Sequence, residues 1–176
     1  MMSGLQPISR RAISQLLLSP VSEARWRGWA LVGAQLVLLA VIVLAPSDPA
    51  WKLPWLLRVI AWLIAGAGVA AIVWGSHSLG SGITPHPAPT PDATLRTDGP
   101  YRYVRHPIYS GLLLLAAGVT LALASALKAA AFALLLVLLS IKARFEEGLL
   151  AEHFPGYESY ARLTPRFVPR PRRPST

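Results

Sequence analysis

IYSGLLLLAAGVTLALASALKAAAFALLLVLLSIKARF, residues 108–145, decides the fold. Lys128 is its only charge before Lys142. Crossing the hydrocarbon of a bilayer takes roughly 20 helical residues, each rising about 1.5 Å over about 30 Å. The stretch holds two segments of nearly that length, 108–124 and 126–145, with a break over 125–128. So short a connection predicts a tight antiparallel helical hairpin.

Two more apolar segments lie upstream. The first covers 28–45 and ends at Pro46; the second covers 54–79, with Arg58 near enough to its start to snorkel to the interface. Hydrophobic residues make up 53% of the 176 and charged residues 14%, against about 25% charged in ordinary soluble domains. That deficit is too large for a water-facing surface. The expected fold is all-α, a polytopic membrane bundle of four transmembrane helices with a cytosol-facing cofactor pocket. A fifth membrane-associated helix near the N-terminus stays open. Gly66, Gly68, Gly75, Gly111 and Gly118 suit close helix approach. The absence of cysteine excludes disulfides, thiolate catalysis and Cys-ligated metal. The net charge of +9 sits beside apolar runs, which points to anionic headgroups and away from nucleic acid. The apolar patch near the N-terminus is too short for a secretory signal and reads as an interfacial helix.

Charge sets the orientation, because Lys and Arg gather on cytoplasmic loops. Arg10, Arg11, Arg25, Arg27, Arg96, Arg102, Arg105, Lys142, Arg144, Arg162, Arg166, Arg170, Arg172 and Arg173 all fall on one side of a four-helix layout. Lys52, Arg58 and Lys128 fall on the other. Both termini and the middle loop are therefore expected in the cytoplasm, in keeping with a bacterial inner membrane.

The polar residues with chemical potential share that side. The middle loop opens with an irregular Pro- and Gly-rich stretch containing His86. Asp98-Gly99-Pro100 signals a turn, and Pro107, lacking a backbone N–H, predicts the first turn of a helix with His106 at its mouth. Beyond the hairpin, Lys142 and Glu146 are four apart and share a helical face. Pro155-Gly156 stops that helix, and Tyr157 and Tyr160 share a face of the turn that follows. The hairpin brings Tyr101, His106 and Tyr109 to the level of Lys142, Arg144, Glu146 and Glu147. Each has a plainer reading: a solvated or capping histidine, an aromatic belt, a solvated helix end. Two carboxylates near a helix C-terminus oppose its dipole, which hints at a partner. The basic tail reads as a lipid-surface anchor. His77, His86 and His153 lack ligand-like spacing, so no metal site is expected.

Together these stretches resemble the isoprenylcysteine carboxyl methyltransferase family of integral membrane methyltransferases, related to phospholipid methyltransferases. The resemblance rests on GPYRYVRHPIYSG at 99–111, the apolar hairpin, and EEGLLAEHFPGYESYARLTPRFVP at 146–169. It covers about 93–169. It implies S-adenosylmethionine as methyl donor and a cofactor site carried by Tyr101, Arg105, His106, Pro107, Ile108, Tyr109, Glu146 and Glu147, with Leu95 in a contacting strip at 93–96. It also implies a basic residue, four positions before the Glu, that orients a substrate carboxylate. Lys142 holds that position, with Arg144 two residues on. Lysine lacks the bidentate fork of arginine, so this sequence departs from the family there.

The implied layout is an interfacial segment over 1–27, a methyltransferase domain over 28–169 and a basic tail over 170–176. The acceptor is lipidic or small, an isoprenylcysteine-type carboxylate by resemblance, with a phospholipid amine or a thiol as alternatives. Those would need a base, for which His106 or Glu147 is placed. A sterol-type reductase using NADPH shares the Gly-Pro-Tyr and His-Pro-x-Tyr elements, but Ile108 and Leu112 stand where it carries Asn and an acid. A non-catalytic membrane scaffold is the remaining rival.

Overall fold

The computed structural model describes residues 20–48, 52–80 and 94–170. The N-terminal segment, the loop half with His86, Ala93 and the last residues of the basic tail lie outside them. Among the described residues the chain is all helical. Helix α1 is Pro20–Leu44 and α2 is Trp55–Leu79. After a 3-10 turn, Gly99–Arg102, come α3, Pro107–Leu123, α4, Ala126–His153, and the short α5, Tyr157–Leu163.

Helix α3 begins where the sequence predicts, with Pro107 in its first turn and His106 as N-cap. The hairpin is tighter than expected. Only Ala124 and Ser125 separate α3 from α4, and Ala124 takes the left-handed φ of 36° to turn the chain. Lys128 is therefore inside α4 and not in the turn. It is fully buried, and its Nζ donates to the carbonyls of Ile42 at 2.8 Å and Ala45 at 2.6 Å. The last carbonyls of a helix have no partner within it and carry the negative end of its dipole. One ammonium thus caps α1 and ties it to the hairpin. Lys128→Met is expected to lose about 1.5–3 kcal/mol, the usual worth of hydrogen bonds to a charged group, read as earlier thermal unfolding in detergent. An unchanged midpoint would mean that the cap is dispensable.

Burial is inside out. Ala61, Ala65, Gly68 and Gly75 are the buried residues of α2, while Trp62, Leu63, Val69 and Val73 are exposed. Exposed apolar surface of this extent marks a face made for lipid or for a partner. Helices α2 and α4 are long and apolar enough to cross a membrane. The apolar parts of α1 and α3, Gly28–Leu44 and Pro107–Leu123, are shorter, about 26 Å each at helical rise.

Helices α2 and α3 form the most extensive pairing, and α1 lies along α4. The α2–α3 seam is a contact between backbones. A Cβ on Gly68 would lie 2.4 Å from the Leu115 nitrogen, one on Gly111 2.7 Å from the Gly68 carbonyl, and one on Gly118 2.5 Å from both the Ala61 carbonyl and the Ala65 nitrogen. Small residues let membrane helices gain close van der Waals contact where no hydrophobic drive distinguishes helix from lipid. Gly66, which the sequence groups with these, faces open space. Two residues are about 200° of helical rotation, so Gly66 and Gly68 lie on nearly opposite faces. On the other side of the hairpin, Ile42, Ala116, Ala131, Leu135 and Leu139 make the apolar core.

Candidate functional site

The polar cluster forms where α3 begins and α4 leaves its apolar stretch. Helix α4 continues unbroken through Lys142, Glu146 and Glu147, so the hairpin sets them beside the start of α3. Asp98-Gly99-Pro100 makes the predicted turn. Gly99 has φ +53°, and its Cα packs so near the Ser78 hydroxyl that a Cβ would lie 3.1 Å away. The turn buries Tyr101, whose carbonyl accepts a 2.6 Å bond from the Tyr160 hydroxyl.

Glu147 is the electrostatic hub. Arg166 donates to it with Nε at 2.9 Å and Nη2 at 2.6 Å, one to each oxygen. Arg105 donates through Nε at 3.1 Å and also gives Nη1 to the Ala161 carbonyl at 2.6 Å. His106 Nε2 lies 3.1 Å from the same carboxylate. Because α4 runs on to His153, the two carboxylates lie about two turns inside it and not at its end, so the dipole argument for a partner does not apply. Glu147 has its partners for another reason, the packing of Arg105, His106 and Arg166 around it. Charge-assisted, bidentate geometry is the strong form of such contacts. The segment after α5 is stitched to the same place: Pro165 and Arg166 carbonyls accept the Arg105 and His106 backbone N–H groups at 2.9 and 3.1 Å, and the Ser110 hydroxyl donates to Phe167 at 2.7 Å.

Glu146 has different company. The Tyr109 hydroxyl donates to it, and His106 Nδ1 stands 3.7 Å away. The His106 and Tyr109 rings stack in parallel at 5.3 Å. Lys142, itself buried, lies 5.1 Å over the other participant of that stack, the Tyr109 ring, and donates to Gln35 Oε1 at 3.1 Å. Burial, and then the charge of Glu146, pushes the Tyr101 phenol up to about 12. Burial, followed by Glu147, does the same to Tyr157. Both stay protonated donors at neutral pH. The Tyr157 hydroxyl is buried and has no hydrogen-bond partner among the described residues.

The structure thus gathers Tyr101, Arg105, His106, Tyr109, Lys142, Glu146 and Glu147. Others stand apart. Arg144 is exposed while Lys142 is buried, so the two are not interchangeable. Pro107 and Ile108 turn their side chains toward Gly75 of α2. Leu95 is half-buried in the strip before the turn. Sequence reasoning passed over Gln35, Arg166, Tyr157 and Tyr160 as site residues. Gln35 had a signal: it is the one side chain with an amide in the apolar run of α1, and a polar residue at membrane depth usually has a partner. Arg166 had none, since its partner depends on how the segment after α5 folds back. Among the described residues, no group of three His, Asp or Glu side chains is placed to hold a metal ion.

Comparison with known proteins reaches beyond the stretch covered by the resemblance. The nickel-cobalt-cadmium resistance protein NccN of Alcaligenes xylosoxydans xylosoxydans is 41% identical over 83 residues, 43% of this chain and 36% of that protein. The cobalt-zinc-cadmium resistance protein CzcN of Cupriavidus metallidurans is 42% identical over 81 residues, 44% of this chain and 36% of that protein. The matched region is about a third of the length of these relatives. Residues 56–156 match the phospholipid methyltransferase family, from α2 through the hairpin to the end of α4, so α2, featureless as sequence beyond its hydrophobicity, is part of the match. With that match spanning more than half of the chain and containing the α2–α3 seam, His106, Tyr109 and both glutamates, the chain belongs to the phospholipid methyltransferase family.

Proposed function

We propose that the protein is an S-adenosylmethionine-dependent membrane methyltransferase with four transmembrane helices, its cofactor held at the cytosolic mouth of α3 and α4. The observation that carries this reading is the division of labour between adjacent carboxylates. Glu147 is neutralised by two arginines, whereas Glu146 meets one phenol and the edge of His106. Glu146 keeps accepting capacity for the ammonium or ribose hydroxyls of the cofactor. Tyr101 offers an aromatic ring, and aromatic faces attract cations. The unpartnered Tyr157 hydroxyl is a donor awaiting an acceptor. These groups suit a ligand that is cationic at one end and rich in hydroxyls. The bound cofactor supplies a methyl group on a sulfonium. The protein's part is to orient donor and acceptor in line, an effect worth about 7–11 kcal/mol. Glu147 holds Arg105, His106 and Arg166 in register and is a positioning residue in this reading.

Lys142 marks the acceptor side. An ammonium has three donors, and this buried one has a single amide acceptor, Gln35, beside the Tyr109 ring. A carboxylate, of the isoprenylcysteine type, would complete its shell. A protonated phospholipid amine would meet like charge there, although the family match favours that acceptor. Glu146→Ala and His106→Ala are expected to weaken S-adenosylmethionine binding at least about tenfold each, as lost hydrogen bonds to charged groups cost about 1.5–3 kcal/mol. Calorimetry on detergent-purified protein, with NADPH titrated in parallel, reads this. Wild-type affinity in both variants would remove the site assignment, and binding of NADPH alone would replace the reaction. Lys142→Met should alter acceptor use and spare cofactor affinity, with Arg144→Met near wild type in both.

A further inference from the structure

We propose that residues 162–170 form a strap that docks on anionic phospholipid headgroups, with Leu163 and Val168 inserted among the acyl chains and Arg162 and Arg170 on the phosphates. Leu163 is 87% exposed and Val168 73%, while Arg162 and Arg170 are exposed at the same end of the molecule. The depth of the strap follows from what it touches. Helix α2 has 25 residues, about 37 Å, so its last turn reaches past a hydrocarbon core of about 30 Å. Gly75, in that region, packs on Pro107 and Ile108, and Trp74 lies 6.3 Å from Tyr103, whose ring carries the Arg102 guanidinium at 5.0 Å. Aromatic rings with a cation on them belong at headgroup level. The strap backbone is bonded to Arg105, His106 and Ser110, the entry and first turn of α3, which puts it at that level too. Two bare aliphatic side chains flanked by arginines then face the one medium that satisfies both, an anionic interface. Arg166, between them, is turned inward onto Glu147, so the strap joins the lipid surface to the polar cluster.

The chain has no cysteine, so Leu163→Cys and Val168→Cys each take a single environment-sensitive fluorophore, with Glu152→Cys, exposed and outside the strap, as reference. In nanodiscs of phosphatidylcholine with phosphatidylglycerol, labels at 163 and 168 are expected to emit blue-shifted from that at 152 and to lose most of their emission to a lipid carrying a quencher on its chain. Pairing the label with Arg162→Gln or Arg170→Gln should weaken the insertion roughly fivefold per arginine. Water-like emission at both positions overturns the proposal. So does equal insertion in pure phosphatidylcholine, or protection that the lipid quencher does not touch, which would point to a second copy or another protein on this face.

Discussion

Like Gly68→Ala, Gly118→Ala is expected to be among the most damaging single methyls in the α2–α3 seam. Its Cβ would lie 2.5 Å from the Ala61 carbonyl and the Ala65 nitrogen, and 2.8 Å from the Ala65 Cβ. The first two are backbone atoms of a helix and have no rotamer to retreat into. Helices α2 and α3 must separate, and because the seam repeats at Gly68 and Gly111, separation at one contact loosens the rest. Overpacking usually costs about 1–3 kcal/mol; with backbone on both sides, the upper end or more is expected. Gly66→Ala is the control. Nothing lies within 4 Å of its Cβ, and exchanging helical glycine for alanine gains roughly 0.5–1 kcal/mol. Thermal unfolding in detergent should therefore move in opposite directions for the same substitution at two helical glycines, one inside the α2–α3 seam and one facing away from it. Equal behaviour would show that the seam is not a backbone contact.

Glu147→Ala is expected to lose about 3–5 kcal/mol, the range for removing one partner of a buried ion pair. The side chains of Glu147 and Arg105 are 14% and 13% exposed, and Arg166 is 28% exposed. Without the carboxylate, two guanidinium groups are left side by side in a poorly hydrated place. The strap after α5 loses its anchor to α4, and the His106 ring loses the group at its Nε2. Stability and cofactor affinity should therefore fall together, whereas Glu146→Ala should lower affinity with stability nearly intact. Proteolysis should separate them too, with cleavage after Arg162 or Arg166 accelerated in Glu147→Ala alone. If both glutamates behave alike, their roles are not divided as described.

Much of this arrangement is legible in local sequence. Pro107 announces the start of α3, the Lys142–Glu146 spacing gives a shared face, and the short break at Ser125 brings the two clusters to one end. These rest on helical periodicity and on the length of a connection, which a chain carries within a few residues. Other features need the packing angle between helices. Lys128 reads as a charge near a turn, yet it is buried under the end of α1 because α1 happens to finish there. Gln35 and Lys142 are 107 positions apart and meet only because α1 lies along α4. Arg166 is one of many arginines in a basic tail until the backbone pairing of Pro165 and Arg166 with Arg105 and His106 fixes which carboxylate it meets.

The two-residue link between α3 and α4 has a consequence for biosynthesis. Helices joined by Ala124 and Ser125 alone leave no loop long enough to be handled separately, so on the proposed reading of four spans they enter a bilayer as one hairpin whose ends remain on the side of synthesis. His106 and Glu147 sit at those two ends. On that reading the halves of the polar cluster are delivered to the same leaflet in a single insertion event, and what is left is the folding of the strap back over them, once the ribosome has released residues 164–167.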